Sequence, residues 1–168
     1  GNLRSVRRAW ERVGAVAQLV ENDRNLDQFD ALVFPGQGAI MDTMTLLKET
    51  GLDRVIHSWT QQNRPFFGIC LGLQALFTHS QEGDTPCLNL FEGEVKRFRF
   101  PDSPGLKVPH MGWNQVRFQD SELLNGISPG EDQFYFVHSF YVETAHPDII
   151  WGTTEYGGQT FVSAIRHR

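Results

Sequence analysis

The chain has 168 residues, 40% apolar and 21% charged, and 20 acidic against 15 basic side chains leave a formal charge of −5. A chain of that length buries roughly 68–70% of its unfolded surface without a disulfide or metal staple, and the acidic balance argues against a general nucleic-acid binder, which carries a basic surplus. The longest apolar runs, 31–34 and 66–69, fall far below the ~20 residues of a membrane span. Two cysteines, Cys70 and Cys87, are too few for a disulfide scaffold and suit a reducing cytoplasm.

In chain order, Leu3, Val6, Trp10, Val13 and Ala17 recur at helical spacing, with Gly14 at or near the end of that helix. Arg4, Arg8 and Arg12 stack on another of its faces. A solvated face is the plain reading of this stripe, and a phosphate or partner site is the alternative. Residues 15–20 suit a strand and Asn22-Asp23 a turn. The continuous apolar run 31–34 suits a strand buried on both faces and ends in Pro35-Gly36-Gln37-Gly38. Helical patterns follow through Met41, Met44 and Leu47, then through Leu52, Val55, Ile56 and Trp59. Residues 66–69 form the next buried strand, and 71–77 read as helix with Leu73, Leu76 and Phe77 on its apolar face. This alternation predicts an α/β fold with a doubly wound, mostly parallel sheet flanked by helices. The second half changes character: 94–100, 115–118, 134–137, 141–143, 151–155 and 159–165 all read as additional, antiparallel strands. Gly157-Gly158 is a hairpin signal between the last two. Residues 81–86, 101–105 and 125–133 read as loops, and no linker divides the chain, so 1–168 reads as a single domain.

The chemistry concentrates at Cys70. Gly68-Ile69-Cys70-Leu71-Gly72 has the form G-x-C-x-G between a strand and a helix, the cysteine counterpart of a nucleophile elbow. The nucleophile must stand on a sharp turn, and the flanking glycines let backbone pass close to backbone. The following helix N-terminus would favour thiolate over thiol, and the Leu71 N–H is placed to hold an oxyanion. A buried structural cysteine is the competing reading, and it is the one adopted for Cys87. Pro35-Gly36-Gln37-Gly38 ends a parallel strand where open α/β sheets build ligand sites. Its glycines let a peptide N–H turn toward developing negative charge, although an ordinary turn has the same composition.

Gly68-Ile69-Cys70-Leu71-Gly72-Leu73-Gln74 resembles the nucleophile motif of class I, triad-type glutamine amidotransferases. Four further stretches resemble the glutaminase subunits of imidazole glycerol phosphate synthases: residues 1–6, 35–39, Val108-Pro109-His110-Met111-Gly112-Trp113-Asn114 and Tyr135-Phe136-Val137-His138-Ser139-Phe140-Tyr141. They follow the family's order and span the chain. The resemblance implies that Cys70 attacks the carboxamide of glutamine, forming a thioester that water resolves. Ammonia then passes to a separate (β/α)8-barrel cyclase subunit in histidine biosynthesis. It implies an oxyanion hole of Leu71 with the Gly36-Gln37-Gly38 loop, glutamine contacts from Gln74, Ser139 and Phe140, and a cyclase-facing surface of Pro109, Met111, Trp113 and Tyr135. It implies no cofactor and no metal, and no nucleic-acid or membrane partner.

One departure is large. The family completes its triad with a C-terminal His-Pro-Glu motif and opens with a strand before the first helix, and neither is found here. The resemblance therefore implies a chain truncated at both ends, lacking part of its triad and inactive as it stands. His57, His79, His110, His138, His146 and His167 read as satisfied or solvated side chains, with His138 the first to test as a substitute base. Another cysteine hydrolase of the same fold, or a non-catalytic module docking on a barrel partner, are the alternative readings.

Overall fold

Asn2 opens the first helix, α1 (Leu3–Arg12), by accepting a hydrogen bond from the Ser5 N–H at 3.2 Å, which satisfies one of the orphan donors of the first turn. The computed structural model describes residues 1–168 apart from Gly1, Asp23, Asn25, Asp102, Pro104, Asp120 and Ser121. The Asn22-Asp23 turn, the 101–105 loop and the opening residue of the 1–6 stretch thus fall partly outside the described residues. The chain divides into two compact units, Gly1–Phe91 and Glu92–Arg168.

In the first unit, α1 buries no residue, and only Trp10 reaches a neighbouring ring, edge-on to Phe67 at 6.1 Å. Arg4, Arg8 and Arg12 are all exposed. The strand expected at 15–20 is absent. Val16 is 86% exposed and no ladder hydrogen bond joins residues 16–20; an extended segment without a paired neighbour has nowhere to satisfy its backbone. The apolar run forms β1 (Leu32–Gly36), followed by α2 (Ile40–Thr50) and α3 (Leu52–Gln61); burial on both faces is the expectation, but Leu32, Val33 and Phe34 are only half-buried. Gly51, at φ 73°, closes α2 and admits α3 directly, the left-handed C-cap that glycine favours. Met44 and Leu47 of α2 and Val55, Ile56 and Trp59 of α3 are buried as the helical spacing assigned, whereas Met41 is 53% exposed with Ile40 buried in its stead, and Leu52 is half-buried. Strand β2 (Phe66–Cys70) pairs parallel to β1, but it is not the buried strand expected, since none of its residues is buried and Phe67 is 52% exposed. The helix expected over 71–77 is a single turn, α4 (Leu71–Gln74). Beyond it the chain tightens into i to i+3 bonds, Leu76 N–H to Leu73 O and Phe77 N–H to Gln74 O, which brings Ala75, Leu76 and Phe77 into the core. Strands β3 (His79–Ser80) and β4 (Thr85–Pro86) form a short antiparallel pair.

The second unit is antiparallel throughout. Strands β5 (Glu94–Arg97), β7 (Arg117–Phe118), β9 (Phe140–Glu143), β10 (Ile150–Tyr156) and β11 (Gln159–Ile165) lie in the order β5-β9-β11-β10-β7. Gly157 and Gly158, at φ 62° and 78°, turn β10 into β11, the backbone signs a two-residue hairpin with right-twisted strands requires. Val95, Phe98, Val142 and Phe161 fill the core of this unit. Apart from that sheet, β6 (His110–Gln115) and β8 (Gln133–His138) pair as a two-stranded ribbon. The sequence pattern placed a strand at 115–118 and missed β6, because its polar His110, Gly112 and Asn114 alternate with apolar residues that turn out to be exposed. The α/β class holds, with parallel strands beside helices and extra antiparallel strands in the second half. No helix among the described residues is long and apolar enough to cross a membrane.

Candidate active site

Parallel register decides the geometry around Cys70. Gly36 lies directly opposite Cys70 at the carboxyl ends of β1 and β2, so the Gln37-Gly38 loop and the cysteine leave the sheet side by side. Such paired strand ends are where open α/β sheets bind ligands. Cys70 stands at φ 57°, ψ −111°, outside the regions open to an L-residue without strain. It is exposed and makes no disulfide. The strain is held by backbone packing. A Cβ on Gly72 would lie 1.9 Å from the Phe34 carbonyl oxygen, one on Gly68 would lie 2.8 Å from the Gly72 oxygen, and one on Gly36 would lie 2.8 Å from Leu71 Cβ. Three glycines thus let β1, β2 and the first turn of α4 close on one another.

That closure brings the expected oxyanion groups together. Leu71 is buried against Gly36, Gly38 takes φ 90°, and Gln37 is exposed. The role expected of a long helix dipole is reduced, because α4 is one turn; what remains is the free N–H groups of that turn. Gln74 is half-buried at its far end. Sequence reasoning missed Glu82, whose carboxylate accepts the Ile40 N–H at 3.1 Å and so tethers the start of α2 just after the loop. A carboxylate 42 residues away in a short helical turn leaves no local signal. Cys87 differs from Cys70 as expected. It is half-buried, and burial pushes its thiol up to about 11, which leaves it protonated and unreactive. Within this unit the two imidazoles are otherwise engaged or distant from the elbow in sequence: His79 Nε2 meets Asp84 at 2.9 Å, and His57 lies on α3.

The remaining expected residues belong to the second unit. Ser139 and Phe140 lie where β8 passes into β9, and the Ser139 carbonyl accepts the Phe98 N–H at 3.0 Å. His138, the substitute base to test, is tied to His110 and to the Phe140 carbonyl. On the ribbon, Met111 pairs with Val137 and Trp113 with Tyr135. These four are 55–66% exposed on one face, and the Trp113 and Tyr135 rings meet edge-on at 5.5 Å. Neither aromatic is a core residue. Pro109, just before β6, is half-buried.

A strained cysteine at a parallel strand end, beside a glycine-rich loop, defines the class, and comparison with known proteins agrees. Residues 1–104 match the SNO glutamine amidotransferase family. A solved structure described as a glutamine amidotransferase superposes with a TM-score of 0.68 at 18% identity, over 96% of this chain and 85% of its own; at that identity the likeness concerns the fold. Subunit HisH of imidazole glycerol phosphate synthase from Synechococcus sp. (strain JA-3-3Ab) is 44% identical over 98% of this chain and 76% of its own length. The HisH subunits of Moorella thermoacetica and Acinetobacter baylyi are 43% and 45% identical, over 78% and 80% of their lengths. The chain belongs to the HisH family of class I glutamine amidotransferase subunits.

Proposed function

We propose that the chain is the glutaminase subunit of an imidazole glycerol phosphate synthase. The observation that carries this reading is the register of Gly36 opposite Cys70, which supports a nucleophile and oxyanion donors sharing one crevice. The Cys70 sulfur forms a bond to the carboxamide carbon of glutamine. The negative charge that develops on oxygen is met by the Leu71 N–H and an N–H of the Gly36-Gln37-Gly38 loop, a contribution worth roughly 3–4 kcal/mol per donor at comparable sites. Collapse breaks the C–N bond and releases ammonia as the nitrogen takes a proton. Water then cleaves the thioester to glutamate and restores the thiol. Gln74, Ser139 and Phe140 are the proposed glutamine contacts. An exposed thiol of this kind suits the reducing cytoplasm.

The partner is a (β/α)8 cyclase, docking on Pro109, Met111, Trp113 and Tyr135. An unpaired apolar ribbon face supports that assignment, since large apolar groups set together on a surface mark interaction sites. The cyclase consumes the ammonia in histidine biosynthesis.

A glutamine-analogue electrophile, followed by peptide mapping, tests the centre. The expected label is on Cys70 alone. Label on Cys87, or none, overturns the assignment. General-base catalysis contributes roughly 10²–10⁴-fold, and no histidine of the first unit is hydrogen-bonded to Cys70 among the described residues. The 168-residue chain assayed by itself should therefore be labelled yet turn glutamine over slowly. Rapid turnover would show that a histidine already present serves as the base.

A further inference from the structure

Two imidazoles pack together in the second unit, His110 buried and His138 half-buried, and neither is used by the chemistry above. His110 is 3% exposed, stacked between Phe136 at 4.8 Å and Tyr156 at 4.1 Å. His138 packs against Phe98 and Phe161, both at 5.2 Å. Three hydrogen bonds join them to their surroundings: Asn114 Nδ2 to His110 Nε2 at 3.2 Å, His110 Nδ1 to His138 Nε2 at 3.0 Å, and His138 Nδ1 to the Phe140 carbonyl at 2.8 Å.

We infer that Asn114, His110 and His138 form a one-directional hydrogen-bond chain, with both imidazoles neutral and protonated on Nδ1, that positions the Phe140 carbonyl. The direction follows from the ends. A carbonyl oxygen only accepts, so His138 Nδ1 carries a hydrogen. A neutral ring then has its lone pair on Nε2, which accepts from His110 Nδ1–H. The lone pair on His110 Nε2 accepts from the Asn114 amide. That amide is locked, because its nitrogen also donates to the Glu155 carbonyl at 2.9 Å and its oxygen accepts the Gln115 N–H at 2.8 Å. Every link has one donor and one acceptor, and the reverse order would require the Phe140 oxygen to donate.

A proton added to either ring sets two donors face to face, and the locked amide cannot turn to relieve them. The titratable groups on neighbouring elements offer no countercharge. The Tyr156 hydroxyl of β10 donates to the Lys107 carbonyl, Tyr141 of β9 packs on Phe98 and Phe161, Glu155 is exposed and meets Asn114 through its carbonyl, and the Arg97 guanidinium of β5 lies over the Phe140 ring at 5.7 Å. Consistent with this, burial and then the charge of His138 hold His110 down to about 4. Burial also lowers His138, against the opposing pull of the Phe140 carbonyl. With the Ser139 carbonyl held by the Phe98 N–H, two successive carbonyls at the β8–β9 junction are fixed, one by the residue that follows β5 and one by the last residue of β8. The consequence for glutamine rests on the proposed contacts of Ser139 and Phe140, whereas the chain itself does not.

The test is two-bond ¹H–¹⁵N spectroscopy of the histidines in the full chain, from pH 8 to 4.5, with the Tyr141 amide nitrogen reporting on the Phe140 peptide group. Both rings are expected as the Nδ1–H tautomer, neither titrating near 6.5. An Nε2–H tautomer at either ring, or ordinary titration of both, overturns the chain. Asn114→Asp offers His110 Nε2 an acceptor in place of a donor at nearly unchanged shape. At pH 8, with the ring neutral, it is expected to draw the hydrogen onto Nε2, break the link to His138 and move the Tyr141 amide; a stationary amide at that pH overturns the positioning role. In the same variant, the KI of the glutamine-analogue electrophile at Cys70 should rise about fivefold, the scale of one hydrogen bond, with the maximal labelling rate little changed. An unchanged KI removes the link to glutamine. Failure of the parent chain to be labelled at all would break the functional reading and leave the spectra to decide the chain.

Discussion

Around Cys70, glycines stand where backbone meets backbone: at Gly72 a single added carbon would lie 1.9 Å from a carbonyl oxygen. On the β6–β8 ribbon the side chains are large, and Trp113 and Tyr135 face outward while His110 and Asn114 face in. The first region is specified by what the positions exclude, and the second by which face its partners leave open. A close backbone crossing leaves its mark on the local sequence, because only glycine fits. A ribbon with inverted polarity leaves only an alternation, and alternation does not say which face is covered.

The largest expected effect falls on the first region. In a full-length protein that carries the family's His-Pro-Glu motif, Cys70→Ala, assayed with the cyclase, should lower glutamine-dependent cyclisation by at least about 10³-fold, since removing a covalent nucleophile disables the whole catalytic unit. Cyclisation supported by added ammonia should persist. Equal loss of both would mean that the variant has damaged the partner contact rather than the nucleophile.

Gly72→Ala probes the packing that holds the elbow. Its Cβ has no flexible neighbour to displace, so denaturant unfolding should show a loss of about 3 kcal/mol, the upper range for overpacking. A loss below ~1 kcal/mol would show that the crossing relaxes and that the glycines are not required by close approach.

Trp113→Ala probes the second region, and the contrast predicts a different signature. The ring is 66% exposed, so unfolding stability should barely change, while affinity for the cyclase should fall by about 2 kcal/mol, as at an interface hot spot. Titration calorimetry of the pair measures this. Unchanged affinity would remove Trp113 from the interface without touching the active-site assignment.

The smallest expected effect is on pH dependence. His110 and His138 have lowered pKa values in the folded chain, so the unfolded chain, near 6.5, binds more protons as pH falls. The stabilisation is present above about pH 6.5 and drains away toward pH 4. Thermal unfolding of the parent should follow that slope, and His110→Gln should flatten it. A parent whose stability is level from pH 7 to 5 would contradict the depressed values.

Much of the first unit was legible from the residues. The helical faces of Met44, Leu47, Val55 and Trp59, the positions of the two parallel strands though not their burial, and the elbow at Cys70 follow from periodicity and from glycine placement, because these features are set within a few residues of chain. The strand expected at 15–20 and the long helix expected after Cys70 failed for one reason: local propensity says what a segment can form, and pairing or packing with distant residues decides whether it does.

Sequence by itself determined the strained turn at Cys70 and its glycine frame, because a strained turn and a close crossing admit few residue types. It also determined family membership, through motifs distributed along the chain. Only tertiary structure decided that Gly36 stands opposite Cys70, that Glu82 caps α2, that the ribbon turns its aromatics outward, and that Asn114, His110 and His138 line up on the Phe140 carbonyl. Each of those depends on register between segments far apart in the chain, and register is set by the summed packing of whole elements rather than by the residues that meet.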